Sequence, residues 1–253
     1  MLTVGELFAG IGGIGLGFER AGGGGEFGCA WQVENDEYAN RVLRKHWPNV
    51  RRWDDVRTFP PEPVDDWRVD VIAGGFPCQD ISNAGRQAGI DGERSGLWGE
   101  FDRIIGVLSP RIVVVENVTA ILVRGFGRVV GDLAARGYDA HWRVIPAGGP
   151  GGRGAPHRRE RIFVVAYADG ARLEGRRVFG QRAGKRAARS GVQKSDWSKP
   201  VADVLRMADG VSGRVDRTNR LRCLGNAVVP AVAQYVAESI LEHEGEGETE
   251  CWQ

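Results

Sequence analysis

Cysteine is scarce in this chain. Cys29, Cys78, Cys223 and Cys251 are scattered over 253 residues, with no CxxC pair. Neither a zinc site nor a disulfide framework follows from that spacing, and no metal site is expected. Long apolar runs are missing too: none approaches the roughly 20 residues that a membrane span requires. No basic-then-apolar segment opens the chain, so a cytoplasmic protein with no membrane partner is expected. There is no internal repeat. Lysine is nearly absent, because arginine supplies 30 of the 34 basic residues. What is present is a hydrophobic content of 42%, enough for the core of one α/β domain of ordinary size.

The net charge of +1 conceals an asymmetry. Gly151 to Arg222 carries 18 Lys and Arg against 7 Asp and Glu, a balance of +11, and the remainder of the chain is at −10. An Arg-rich coding bias does not explain why acids avoid the same third. Guanidinium groups suit bidentate phosphate and guanine recognition, so that third is expected to face a polyanion. Its least core-like part, Asp169 to Lys199, has nine Lys and Arg against three acids, with Phe179 and Trp197 as anchors or stacking groups.

Two stretches carry chemistry. In the first, a short apolar segment, Leu2 to Phe8, runs into Ala9-Gly10-Ile11-Gly12-Gly13-Ile14-Gly15. Gly10, Gly12 and Gly15 satisfy G-x-G-x-x-G, and the reading is strand, tight turn, helix. The next strand, about Phe27 to Val33, ends at Glu34, where an acid can accept both hydroxyls of a ribose. This pattern fits a nicotinamide dinucleotide or S-adenosylmethionine equally, and a structural turn about as well. The second stretch is Gly74-Gly75-Phe76-Pro77-Cys78-Gln79, after the apolar run Val69 to Ala73. A thiol where a strand gives way to a loop is partly exposed, and nearby backbone N–H groups favour its thiolate. For a lone cysteine, a buried structural role is the default.

The rest of the chain alternates in the same way. Asp36 caps a helix reaching His46, and Pro48 stops it. Asp54-Asp55-Val56 marks a third strand end. Asp80 to Gly96 is polar and aperiodic, long for a loop, and so a lid or binding loop. Leu97 to Leu108 has helical spacing. Arg111 to Val115 reads as a buried strand that ends at Glu116-Asn117-Val118. Val129 to Arg136 is helix, Tyr138 to Ile145 strand, and Ala147 to Pro156 a Gly/Pro loop. His157-Arg158-Arg159-Glu160-Arg161 leads into the strand Ile162 to Tyr167, with Arg159 and Arg161 on one face if extended. Val201 to Met207 and Ala231 to Leu241 read as helices, and the acidic tail from His243 is expected to fray.

The ordered set FAGIGG, VEND, DDV, GGFPCQ, SGLW, ENV, RRER and LGNAVVP resembles the DNA cytosine-C5 methyltransferases, from about Leu7 to Val236. The resemblance implies a Rossmann-like α/β fold: a mixed, mostly parallel seven-stranded sheet with helices on both faces. It implies a catalytic domain over residues 1–167, a short basic target-recognition region over 168–217, and a segment over 218–253 returning beside the glycine loop. S-adenosylmethionine is the implied cofactor, lined by Phe8, Gly10, Gly12 and Gly13. Glu34 takes the ribose, Asp55 the adenine amine, and Pro77, Leu97 and Asn226 complete the pocket. Cys78 is the implied nucleophile, Glu116 the group at N3 of cytosine, Arg161 the holder of O2, and Arg159 a support for the site or for a phosphate. Gln79, Ser82 and Arg94 are the implied DNA contacts. The implied partner is double-stranded DNA, for a monomer of bacterial or phage origin, with a cognate restriction endonuclease or none.

Two departures from the family pattern stand out. His157 occupies a position where the family usually has Gln. The stretch between Tyr167 and Arg217 is short for a recognition domain, and the usual Pro-Arg-Glu before the last motif is absent. Two rival functions remain: a nicotinamide oxidoreductase built on the glycine loop, and a non-catalytic nucleic-acid-binding homologue. RNA in place of DNA is a variant of the first reading.

Overall fold

The structure is a computed structural model that describes residues 1–77, 97–168, 178–179 and 214–248. One seven-stranded sheet organises it. Its strands are β1 (Leu2–Leu7), β2 (Phe27–Val33), β3 (Arg51–Trp53), β4 (Val71–Gly74), β5 (Ile112–Val118), β6 (Tyr138–Pro146) and β7 (Glu160–Ala168), in the order β3-β2-β1-β4-β5-β7-β6. The first five in that order are parallel, and β7 runs antiparallel to both β5 and β6. The implied mixed, mostly parallel sheet is therefore present. It also differs from the all-parallel dinucleotide-binding order 3-2-1-4-5-6, because an antiparallel strand is inserted beside β5.

The parallel strands are apolar on both sides, as strands covered on both faces must be. One face packs α3 (Leu97–Leu108) and α5 (Phe126–Ala135) through Ile72, Val113, Val115 and Val164. The other face packs α1 (Gly13–Arg20) and a long C-terminal helix, α7 (Pro230–Glu248), through Val71, Ala73, Val114 and Val165. The helical spacing read at Leu97 to Leu108 places Phe101, Ile104, Ile105 and Leu108 in the core, and Trp98 caps that stripe by donating to Asp132 of α5 at 2.8 Å. Helix α2 (Glu37–His46) begins where expected, with Asp36 accepting the N–H of Ala39 at 2.9 Å. Among the described residues the other α-helices are α4 (Ile121–Arg124) and α6 (Arg214–Asn226).

Strand β5 ends at Val118, in line with the sequence reading, because pairing with β7 continues to Val118–Arg161. Two boundaries differ from that reading. Helix α5 starts at Phe126, ahead of Val129, and the Phe126 ring packs on Trp142 of β6. The expected frayed tail is helical as far as Glu248. Glu244 pairs with Arg111 at 2.6 Å and His243 packs on Tyr167, so the acidic turn finds partners on the sheet. The helix read at Val201 to Met207 lies outside the described residues, as does Trp197. Val178 is buried and Phe179 packs half-buried against the α1/α7 core, which makes Phe179 an anchor.

Candidate active site

The strand order reverses between β1 and β4, and in open α/β sheets ligands bind outside the carboxyl ends of the strands at such a point. Phe8 to Gly13 follows β1, Glu34 follows β2, Asp55 lies just past β3, and Gly75 to Pro77 follows β4. These residues were read separately in sequence, and the topology brings them to one sheet edge.

The glycine loop is shaped by positive φ. Phe8 has φ 54°, Gly10 57° and Gly12 80°. Among the described residues a Cβ at Gly10 would meet nothing within 4 Å, so they leave space over the loop there. A Cβ at Gly12 would fall 2.4 Å from the Trp47 ring, so glycine is required there by both conformation and space. Across the loop, Gly13 abuts the carbonyl of Val228. The C-terminal segment therefore does return beside the glycine loop.

Glu34 is held from several sides. Its Oε2 accepts the Gly10 N–H at 2.7 Å, and its Oε1 accepts the Asp36 N–H at 2.8 Å. Its carbonyl accepts Asn40 Nδ2 at 2.6 Å. Burial raises its pKa from the ordinary carboxylate range, against those two N–H donors. Asp55 caps the short turn Val56–Thr58 by accepting the Arg57 N–H at 3.0 Å, whereas Asp54 is exposed. Pro77 and Leu97 are half-buried on either side of residues 78–96, and Asn226 is exposed at the end of α6. Cys78, Gln79, Ser82 and Arg94 lie outside the described residues.

Glu116 is the buried charge of the site. It is 8% exposed, and its Oε1 lies 3.0 Å from Arg161 Nε. The two residues are diagonal neighbours on one face of the β5–β7 pair, since Glu116 faces Phe163 and Val118 faces Arg161. Burial pushes the Glu116 pKa up to about 7, and the Arg161 and Arg159 guanidinium groups oppose that shift. The carboxyl also presses on the chain leading to Cys78: a Cβ at Gly75 would fall 2.5 Å from Glu116 Oε2. Asn117 pins the same turn, donating from Nδ2 to the Phe76 carbonyl at 3.2 Å.

Arg159 departs from the expected alternation. Its φ of 25° interrupts the extended chain, and β7 starts only at Glu160. Arg161 consequently points to Glu116, while Arg159 donates to the carbonyls of Gly225 (2.7 Å) and Ala227 (3.0 Å) at the end of α6. Arg159 thus braces the returning C-terminal segment. His157 is exposed.

One group went unread in the sequence. Glu6, inside β1, is 1% exposed, and its Oε1 accepts the Gly15 N–H at 2.5 Å. The N-cap of α1 is Gly12, which has no side chain, so Glu6 caps the helix from the neighbouring strand. Gln32 Nε2 donates to Glu6 Oε2 at 2.9 Å, while the buried Gln32 Oε1 has no partner among the described residues. Its pKa is pushed up to about 7 by burial. An acid interrupting an apolar strand was the available signal. The folded chain keeps this proton to about pH 7, whereas an unfolded one releases it near 4.5. Stability from this group is therefore highest in acid and falls as pH rises between those values. Glu6→Gln keeps an acceptor for Gly15, and with the Gln32 amide turned over, the introduced Nε2 donates to Gln32 Oε1. It is expected to be more stable than the parent at pH 8 by on the order of 3 kcal/mol, with no difference in that direction at pH 4. Urea titrations at both pH values check this, and an equal difference at both would refute it.

The profile of the C-5 cytosine-specific DNA methylases matches residues 2–212. The chain belongs to that family. The type II methyltransferase M.Bsp6I of a Bacillus strain is 35% identical over 172 residues, spanning 66% of this chain and 52% of its own. M.HaeII of Haemophilus aegyptius is 31% identical over 195 residues, 76% of this chain and 57% of its own. The chain thus spans about half the length of the curated relatives it matches. Among solved structures, an E. coli prophage-encoded chain assigned as a DNA modification methyltransferase is 28% identical. It superposes with TM-score 0.54 over 66% of this chain and 47% of its own. Spodoptera frugiperda DNMT2, 18% identical with TM-score 0.55 over 67% of this chain and 51% of its own, shares the fold. That fold is the Rossmann-like architecture of the S-adenosylmethionine-dependent methyltransferases. Among the described residues no helix is long and apolar enough to cross a membrane.

Proposed function

We propose that this C-5 methylase transfers a methyl group from S-adenosylmethionine to carbon 5 of a flipped-out cytosine in double-stranded DNA, through a covalent bond between Cys78 and carbon 6. The observation that carries the reading is the buried Glu116–Arg161 pair. It lies on the same sheet edge as the glycine loop and is pressed against the turn that continues into Cys78.

The residues fit the cofactor. The space that the described residues leave over Gly10 admits a ligand against the backbone, and the carboxylate of Glu34 can accept ribose hydroxyls at the next strand end. Phe8, Gly12, Gly13, Asp55, Pro77, Leu97 and Asn226 would complete that crevice. When bound, S-adenosylmethionine supplies an electrophilic methyl carbon. The chain's residues then prepare the nucleophile. The Cys78 thiolate adds to carbon 6, breaking the C5–C6 double bond and making carbon 5 enamine-like. Electron density moves toward N3, where Glu116, whose pKa burial raises to about 7, holds a proton in its protonated form and also accepts from the exocyclic amine. Arg161 orients Glu116 and holds O2 of the base. After methyl transfer a base removes the carbon 5 proton, the C5–C6 double bond re-forms, and the Cys78 thiolate leaves. A stacked base cannot reach these groups, so the cytosine is extruded from the duplex.

Residues 168–217 form the target-recognition region in this reading, 1–167 the catalytic domain, and 218–253 the returning segment. Gln79, Ser82 and Arg94 contact DNA. The enzyme acts as a monomer in the bacterial cytoplasm, with a restriction endonuclease as its cognate partner or alone as a prophage-type modification enzyme. Transfer of labelled methyl from S-adenosylmethionine to cytosine-containing duplex DNA, with RNA of the same sequence as comparison, tests the function. Label in RNA alone would contradict it. The basic stretch gives a further expectation: duplex affinity falls steeply with salt, and deleting residues 172–199 lowers the slope of log affinity against log salt. An unchanged slope and affinity would remove that stretch from the interface.

A further inference from the structure

Asp36 has more partners than a helix cap needs. Its Oδ1 accepts the Ala39 N–H at 2.9 Å, and its own N–H donates to Glu34 Oε1 at 2.8 Å. Its Oδ2 accepts from the Arg222 guanidinium, 186 residues further along the chain, and the Cys223 thiol lies 3.9 Å from Oδ1. Arg222 and Cys223 belong to α6. The carboxyl end of that helix is held by Arg159 through the Gly225 and Ala227 carbonyls, and Val228 beyond it abuts Gly13. Helix α6 is thus strapped at one point to the loop that positions Glu34 and at another to the residue two positions before Arg161.

We propose that Arg222 is a positioning residue for the cofactor crevice, acting through Asp36 on Glu34 and tying α6 to the ribose end of that crevice. The inference rests on the functional reading above. Glu34 and Asp36 are acids two residues apart, and a negative charge on Asp36 disfavours one on Glu34. Arg222 faces the Asp36 carboxylate and offsets its charge, which eases the repulsion on the neighbouring Glu34 carboxyl that faces the ribose end of the crevice. The same contact fixes the Asp36 backbone, whose N–H aims Glu34 at Gly10. Because the pair is part-exposed, its effect is modest and screened by salt.

S-adenosylhomocysteine binding, measured by calorimetry on the full chain, tests this. Arg222→Ala is expected to weaken binding about three- to tenfold at low ionic strength and by less at about 0.5 M salt. Arg222→Lys should recover most of the loss. Asp36→Asn, which preserves the helix cap, should weaken binding similarly, and the double variant should be no worse than either single one. Amide exchange in the ligand-free chain provides a readout independent of binding: Arg222→Ala should speed exchange at Asp36 and Gly10. Parent-like binding by Arg222→Ala, or additive losses in the double variant, would overturn the proposal. If the parent does not bind S-adenosylhomocysteine, the cofactor reading fails instead, and unchanged exchange at Asp36 and Gly10 would still count against the strap.

Discussion

Glu116→Gln is expected to lower kcat for methyl transfer by about 10²–10⁴-fold, the range for loss of a positioned proton donor. The amide preserves the shape that fits against Gly75 and can still face Arg161, but it cannot hold a proton at N3. Affinity for S-adenosylhomocysteine should change little, because Glu116 sits at the end of β5 while the ribose acid follows β2. The pH dependence follows from the same carboxyl. Its pKa is pushed up to about 7 by burial, with Arg161 and Arg159 opposing. Below that value the proton is present, and above it the proton is progressively lost. The parent kcat should therefore decline on the alkaline side of neutrality, and the glutamine variant should lack that limb. A variant with parent-like kcat would remove Glu116 from the chemistry. One with low kcat but the same alkaline limb would reassign that limb to another group.

Cys78→Ser is expected to be the more severe change, with methyl transfer reduced by at least about 10³-fold. A hydroxyl at neutral pH is a far weaker nucleophile than a thiolate, and without addition at carbon 6 the cytosine ring has no reason to attack a methyl carbon. Binding of duplex DNA and of S-adenosylhomocysteine should survive, since neither uses the sulfur. This contrast separates loss of the nucleophile from loss of the fold. Combining Cys78→Ser with Glu116→Gln should cost little more than Cys78→Ser alone, because the proton at N3 matters only once the thiolate has added.

Much of this arrangement was legible from residue types and spacing. The glycine loop, Glu34 at a strand end and the stripe from Leu97 to Leu108 are local signals, and the sheet topology places each where its pattern implies. Glu116 is legible as an acid at the end of a buried strand, and pairing with β7 carries that strand to Val118. The rest depended on contacts between distant segments. Arg159 and Arg161 both act on the Glu116 carboxyl, but Arg159 is not extended, and no sequence signal marks its positive φ or its contact with the Gly225 and Ala227 carbonyls. The role of Glu6 required knowing that β1 lies beneath the start of α1. Arg222 reads as one arginine in a basic stretch, and its pairing with Asp36 spans most of the chain. The start of the acidic tail is helical for the same reason: Arg111, which gives Glu244 a partner, is 133 residues away, and residues 249–253 lie outside the described residues.

The central claim is a covalent bond between Cys78 and carbon 6 of a cytosine, and mechanism-based trapping tests it most directly. Incubated with S-adenosylmethionine and duplex DNA carrying 5-fluorocytosine, the enzyme should form a denaturation-resistant complex. Fluorine cannot leave carbon 5 as a proton does, so elimination of the thiolate is blocked. The account predicts one adduct per chain, mapped to the peptide containing Cys78 and absent from Cys78→Ser. An adduct on another residue, or undiminished trapping and methyl transfer by Cys78→Ser, would contradict it.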